Sequence, residues 1–170
     1  MISSKIKLRK VKKTDIKYFR DWRNSAEIWK NNTQFTFLNM KDQNIWFKSL
    51  FDKNSKKQMF TIIDSKKKPV GICGLINLNE IEKSAKIAII IGNLNLQSKG
   101  IGSQVLTLLL KYGFGELKLH RIEAEVIEYN EISQSFFKKF NFKEEVELRN
   151  FLFRKGKWWN LITFAKLSSD

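Results

Sequence analysis

Six residues, Gln97-Ser98-Lys99-Gly100-Ile101-Gly102, carry the first chemistry legible in this 170-residue chain. They lie between an apolar stretch, Ile87-Ala88-Ile89-Ile90-Ile91, that reads as a buried strand, and a segment in which Ile101, Val105, Leu108, Leu109 and Tyr112 recur at helical spacing. At such a junction the N–H groups of the first helical turn have no partner within the helix, and the helix dipole adds positive charge, so an anion settles there. Gly100 and Gly102 let a phosphate approach the backbone closely. A plain strand-to-helix turn is the alternative, so the kind of pocket has to be argued. A dinucleotide fingerprint needs a third glycine where Val105 stands, and a nucleoside-triphosphate loop needs Gly-Lys-Ser/Thr where Lys99 precedes the glycine instead. Neither pattern fits.

A second set of polar residues falls on a predicted strand over Arg121–Ile127. Arg121, Glu123, Glu125 and Ile127 share one face, and Ile122, Ala124 and Val126 share the other. Glu125 therefore lies off the apolar face, either as a general base or as a carboxylate paired with one of many lysines. Arg23 and Asn24 offer a cation and an amide to an anionic substrate group, or else close a helix beside Trp22. Trp29, Trp46, Trp158 and Trp159 supply aromatic faces for a ligand, the core or an interface, and the Trp158-Trp159 pair raises the expectation of a homodimer.

The elements that must position these groups follow one another without a linker or repeat, and Pro69 is the only proline. Ile6 to Val11 reads as a strand, and Thr14 as the cap of a helix carrying Ile16, Tyr18, Phe19 and Trp22. Asn39 to Phe51 reads as a helix with Ile45, Trp46, Leu50 and Phe51 toward the core. Gln58–Ile63 and Val70–Leu78 form a hairpin, and Ser84–Ile91 precedes the glycine loop. A helix over Glu131–Lys139 and strands near Val146–Phe153 and Trp158–Lys166 complete an α/β domain spanning residues 1–170. The sheet is expected to be mixed, with helices on both faces.

Composition narrows the chemistry. The net charge is +15, yet it comes from 26 lysines and six arginines scattered in short groups, whereas base and phosphate recognition favours arginine. This argues against nucleic acid and for a small anionic ligand, and against a polycationic substrate such as spermidine. Cys73 sits in an apolar run and reads as a core thiol; the lone His120 excludes a histidine-cluster metal site, and no metal is expected. No stretch approaches the ~18 apolar residues of a membrane-spanning helix, and the first ten residues lack an apolar signal core, so a cytoplasmic protein is expected.

The spacing Gln-x-x-Gly-x-Gly between strand and helix resembles the acyl-CoA pyrophosphate loop of the GNAT acetyltransferase superfamily. "NEISQSFFKKFNF" resembles that family's Asn-x-x-(Ala/Ser)-x-x-x-Tyr-x-Lys-x-Gly-Phe segment, with Asn130, Ser133, Lys139 and Phe142 on matching positions. The N-terminal "LRKVKKTDIKYFRDWRN" and C-terminal "RNFLFRKGKWWNLITFAKL" are similar to the branch of ribosomal-protein N-terminal and amino-sugar acetyltransferases. The resemblance implies a mostly antiparallel sheet of six to seven strands, with a splayed central pair that admits acetyl-CoA. It places Gln97, Ser98, Lys99, Gly100, Ile101, Gly102 and Ser103 at the pyrophosphate, Ile90, Ile91 and Leu96 along the pantetheine arm, and Asn130 and Lys139 at the coenzyme.

What the resemblance implies for catalysis is uneven. "AEVIEYN" resembles a segment of the nucleotide-linked amino-sugar enzymes whose first glutamate is proposed as base, and that role falls on Glu125. The family's tyrosine acid position holds Phe137, which has no proton to give. Asn141 replaces a glycine beyond the helix, a change asparagine tolerates in left-handed conformation, and Lys86 stands where many relatives carry glutamate. The expected activity is transfer of acetyl to the amine of a nucleotide-linked amino sugar, an acceptor anionic overall. Protein N-terminal acetylation, or acetyl-CoA binding without transfer, remain the alternatives.

Overall fold

The computed structural model describes residues 6–96 and 100–170. Its first element is β1 (Lys7–Lys10), and a 3-10 turn over Lys13–Asp15 leads into α1 (Ile16–Asn24). A single turn, α2 (Ala26–Trp29), and α3 (Met40–Ser49) follow. The antiparallel run β2 (Gln58–Ile63), β3 (Pro69–Asn79) and β4 (Ser84–Ile91) precedes α4 (Ile101–Leu110), which continues into a π-helical turn over Lys111–Glu116. β5 (Arg121–Ile127), α5 (Glu131–Lys139) and the hairpin β6 (Lys143–Arg154) and β7 (Lys157–Leu167) complete the fold. Seven strands make one sheet in the order β1-β2-β3-β4-β5-β7-β6, antiparallel at every junction except the parallel β4 and β5. This is the expected mixed α/β sheet, and no helix among the described residues is long and apolar enough to cross a membrane.

Helices cover both faces because the central strands are apolar on both. One core joins Ile101, Val105, Leu106 and Leu109 of α4 and Phe137 of α5 to Ile122, Ala124 and Val126 of β5. The other packs Ile16 and Phe19 of α1, with Trp22, Trp46 and Leu50, on Ile72 of β3 and Ile90 of β4. Trp22 lies flat on Gly92, where a Cβ would sit 1.9 Å from the indole, so only glycine lets α1 close on the end of β4. Cys73 is fully buried, as its apolar run implies.

Several expectations are corrected. Asp15, not Thr14, organises the start of α1: its carboxylate accepts the Lys12 N–H at 2.8 Å. Ile45 and Phe51 do not face the core but are 59% and 68% exposed, because the buried stripe of α3 runs through Met40, Gln43, Trp46, Phe47 and Leu50. On α4 the buried residue is Leu106 and Leu108 is exposed. Asn39 caps α3 through a reciprocal pair with Asp42, and Asn141 takes the left-handed conformation at φ 60°, as asparagine can. Of the tryptophan pair, Trp158 is exposed and packs on Phe153, whereas Trp159 turns inward against Tyr129.

Asp15 is 2% exposed and joins three elements. Arg9 of β1 donates to both carboxylate oxygens, at 2.7 and 2.8 Å, and the Thr61 hydroxyl of β2 donates at 2.8 Å. Burial pushes the carboxyl pKa up, but these donors and the Lys12 N–H outweigh it and hold the group below the ordinary aspartate range. Asp15→Ala should cost about 3 kcal/mol and lower Tm by roughly 6–12 °C, because Thr61 and Lys12 lose their acceptor and Arg9 its counter-charge. Denaturant unfolding checks this. Since the folded pKa lies below the unfolded value of about 3.9, the stabilisation is complete above about pH 4 and is lost as pH falls through the folded value.

Candidate functional site

The central strands set the site. β4 and β5 pair over three rungs only, Ser84 with Arg121, Ala85 with Ile122 and Lys86 with Glu123. Beyond them β4 stays on β3 through Ile91, and β5 stays on β7 through Ile127. Each strand follows its outer partner, so the two diverge. From Ile87 to Ile90 the inner edge of β4 runs about 10 Å without pairing to β5. Main-chain groups along such a gap favour a ligand that can hydrogen-bond like a strand. Successive side chains of β4 alternate, so Ile90 enters the core beneath α1 and Ile91 the core beneath α4, while Leu96 packs at the margin of the latter.

At the open end of the gap stands the start of α4. Gly100 is its N-cap residue, with φ +77°, and the first helical bond runs from the Gln104 N–H to the Gly100 carbonyl at 3.1 Å. The N–H groups of Ile101, Gly102 and Ser103 therefore precede the ladder and present the anion-binding end of a ten-residue helix. Among the described residues nothing lies within 4 Å of a Cβ built at Gly100. One at Gly102 would point toward the Phe136 ring, 3.5 Å away, which makes Gly102 part of the α4–α5 contact as well as of the cradle. Gln97, Ser98 and Lys99 lie outside the described residues. An open gap beside a bare helix start fits a long ligand with a phosphate midway, and these residues fit acetyl-CoA.

Glu125 stands on the β5 face turned away from α4, as the alternation predicts, and its Oε1 accepts a hydrogen bond from Lys86 Nζ of β4. Lys86 belongs to the last rung and Glu125 lies two residues past its rung partner Glu123, so the pair runs diagonally where the gap begins. Of the two expectations for Glu125, the structure shows the carboxylate paired with a lysine. Phe137 is 8% exposed and packs among Phe136, Phe142 and Phe164, so a phenyl ring fills core where a hydroxyl would serve as acid. Asn130 caps α5, its Oδ1 accepting the Ser133 N–H, and Lys139 is exposed in the last turn of that helix.

Arg23 and Asn24 address a different part of the molecule, the segment 30–38 between α2 and α3. Both ends of the Asn24 amide bind the Leu38 backbone, at 2.7 and 2.9 Å, so Asn24 shapes the segment rather than reaching a ligand. Arg23 donates to the Gln34 carbonyl and side chain. Arg154, at the end of β6 and 8% exposed, donates to the Asn32 and Thr33 carbonyls and lies 4.0 Å over the Phe35 ring. Trp29 stacks on the same ring at 3.8 Å, and the Tyr129 hydroxyl, just past β5, donates to the Lys30 carbonyl. Sequence reasoning missed Arg154 and Tyr129. Arg154 shares the buried parity of β6 with Leu152, but the flanking Phe151 and Phe153 mask that alternation.

A family model described as the acetyltransferase (GNAT) domain matches residues 5–143. The spermidine N(1)-acetyltransferase of Escherichia coli is 25% identical over 160 residues, 92% of this chain and 83% of that one. An uncharacterized N-acetyltransferase of Bacillus licheniformis is 25% identical over 173 residues, covering 100% of this chain and 97% of that one. Among solved structures, spermidine N-acetyltransferase from Vibrio cholerae in complex with CoA and spermine superposes with a TM-score of 0.89 at 24% identity, over 96% of both chains. Relatives named for spermidine acetylation match over nearly the whole chain, and one named a putative ribosomal N-acetyltransferase, from Bacillus subtilis, is 28% identical over 58% of it, so the matches point to polyamines rather than to the amino sugar expected from the sequence. With the matched domain, the splayed strand pair and the bare start of α4 in agreement, the chain belongs to the GNAT acetyltransferase family and is an acetyl-CoA-dependent N-acetyltransferase.

Proposed function

We propose that the acceptor is a primary amine of a small aliphatic polyamine. The observation that carries this reading is the local charge where β5 ends. Glu128 and Glu147 both bind Asn160, and neither forms an ion pair among the described residues. Glu125, Glu123 and Glu145 also lie along β5 and β6, the first paired with Lys86 and the other two with Arg121. Relatives named for spermidine acetylation over nearly this whole chain support the same class. The resemblance of "AEVIEYN" points to a nucleotide-linked acceptor, and the net charge of +15 argues against a polycationic one. A substrate responds to the field of the cleft it enters more than to the sum over the surface.

Acetyl-CoA, when bound, supplies a thioester carbonyl and a thiol leaving group. The start of α4 holds the pyrophosphate, and the gap between β4 and β5 takes the pantetheine arm. An arriving ammonium group displaces Lys86 from Glu125, and the carboxylate accepts its proton, leaving a neutral nucleophile. Phe137 donates nothing, and a thiol of pKa near 8.5 leaves tolerably as thiolate.

Three measurements test this reading. With acetyl-CoA, spermidine, a UDP-linked 4-amino sugar and a ribosomal N-terminal peptide in one mixture, mass spectrometry should find one added acetyl on spermidine; transfer to either competitor alone refutes the polyamine assignment. Gly100→Asn keeps a residue that tolerates φ +77° but fills the space above the first turn, so calorimetry should show CoA binding about tenfold weaker with Tm unchanged. Glu125→Gln should lower kcat about 100-fold and leave CoA affinity as it was; wild-type turnover would remove Glu125 from proton transfer.

A further inference from the structure

Among the described residues four buried side-chain polar atoms have no hydrogen-bond partner, and three of them lie against one stretch of chain: Arg23 Nε, Trp29 Nε1 and Arg154 Nε. Arg23 touches Gln34, Trp29 touches Phe35, and Arg154 touches Asn32, Thr33 and Phe35. Residues 32 and 35 are at most about 11 Å apart between Cα atoms, so the three donors share a small region. With rings or guanidinium 3.8 and 4.0 Å from its centroid, Phe35 must lie between Trp29 on one face and Arg154 on the other. That stack fixes where both donors stand.

All three orphans are donors, and two belong to permanent cations. Neither Arg23 nor Arg154 has a carboxylate partner among the described residues, and burial lowers the Arg23 pKa, which marks a charge without its counter-charge. Water would satisfy a donor but would not offset the charge of buried Arg154 beside half-buried Arg23. We infer that Arg23, Trp29 and Arg154 form a binding site for a small oxyanion, a carboxylate or phosphate group, against residues 32–35. The Tyr129 hydroxyl ties the same segment to the end of β5, so the site flanks the mouth of the strand gap. Only the kinetic arm of its test rests on the acceptor class proposed above.

The first arm titrates CoA-saturated protein with inorganic phosphate, so that the start of α4 is already filled. Wild type should bind one phosphate. Arg23→Gln should weaken it by at least about tenfold, and Trp29→Phe, which keeps a stacked ring and loses the N–H, by about threefold, with CoA affinity and Tm unchanged. No binding to wild type, or equal binding to all three proteins, overturns the site. The second arm compares KM for cadaverine and for 5-aminopentanoate, which differ in an ammonium against a carboxylate at the far end. A rise in the 5-aminopentanoate to cadaverine KM ratio in Arg23→Gln assigns the oxyanion to the acceptor itself; an unchanged ratio with phosphate binding lost assigns it to a free anion. If neither amine is acetylated, the acceptor proposal fails while the titration still decides the site.

Discussion

The structure depends on one incomplete pairing. β4 and β5 are neighbours inside a seven-stranded sheet, yet only three rungs join them before each strand follows its outer partner. An interior strand pair left open exposes main-chain groups that other folds would pair. It is tolerated here because β3 and β7 hold the two strands along their full outer edges, and because α4 with α5 and α1 with α3 clamp the sheet from either side. Where backbone bonding stops, a ligand can begin, and the start of α4 supplies the anion site at that point.

Side chains then bridge what the backbone does not. Lys86 of the last rung reaches diagonally to Glu125 where the gap begins, and Tyr129 links the end of β5 to the Lys30 carbonyl across 99 residues of sequence. These polar ties are weaker than a β-ladder and can open without loss of the core. The hydrophobic contacts that cannot open lie elsewhere, under α4 and under α1. Division of labour between a rigid frame and breakable ties suits a site that must admit a long coenzyme from one side and an amine from the other.

The segment 30–38 shows the opposite economy. Its position is over-determined by Asn24, Arg154, Tyr129 and the Trp29–Phe35 stack, yet it leaves buried donors without acceptors, each costing about 1–3 kcal/mol. That combination is what the inferred oxyanion site rests on. Phe137 makes a complementary point: at a position where relatives hold a proton donor, this chain spends the residue on packing against Phe164 and Phe142.

Local sequence determined much of this protein. Period-two and helical patterns placed Gln58–Ile63, Ser84–Ile91, Arg121–Ile127 and Glu131–Lys139 within a residue of their ends, because strands and helices buried on defined faces must carry those periods. Gly100 marked the start of α4, since N-cap geometry is set by neighbouring residues. Local pattern could not orient α3, whose apolar residues outnumber one face, so Ile45 and Phe51 went to solvent when Gln43 and Phe47 met the sheet and α1. Nor could it bring Lys86 to Glu125 across a strand pair, or Arg23, Trp29 and Arg154 to one loop from three distant elements. Those meetings depend on strand order and divergence, which only the packed sheet decides.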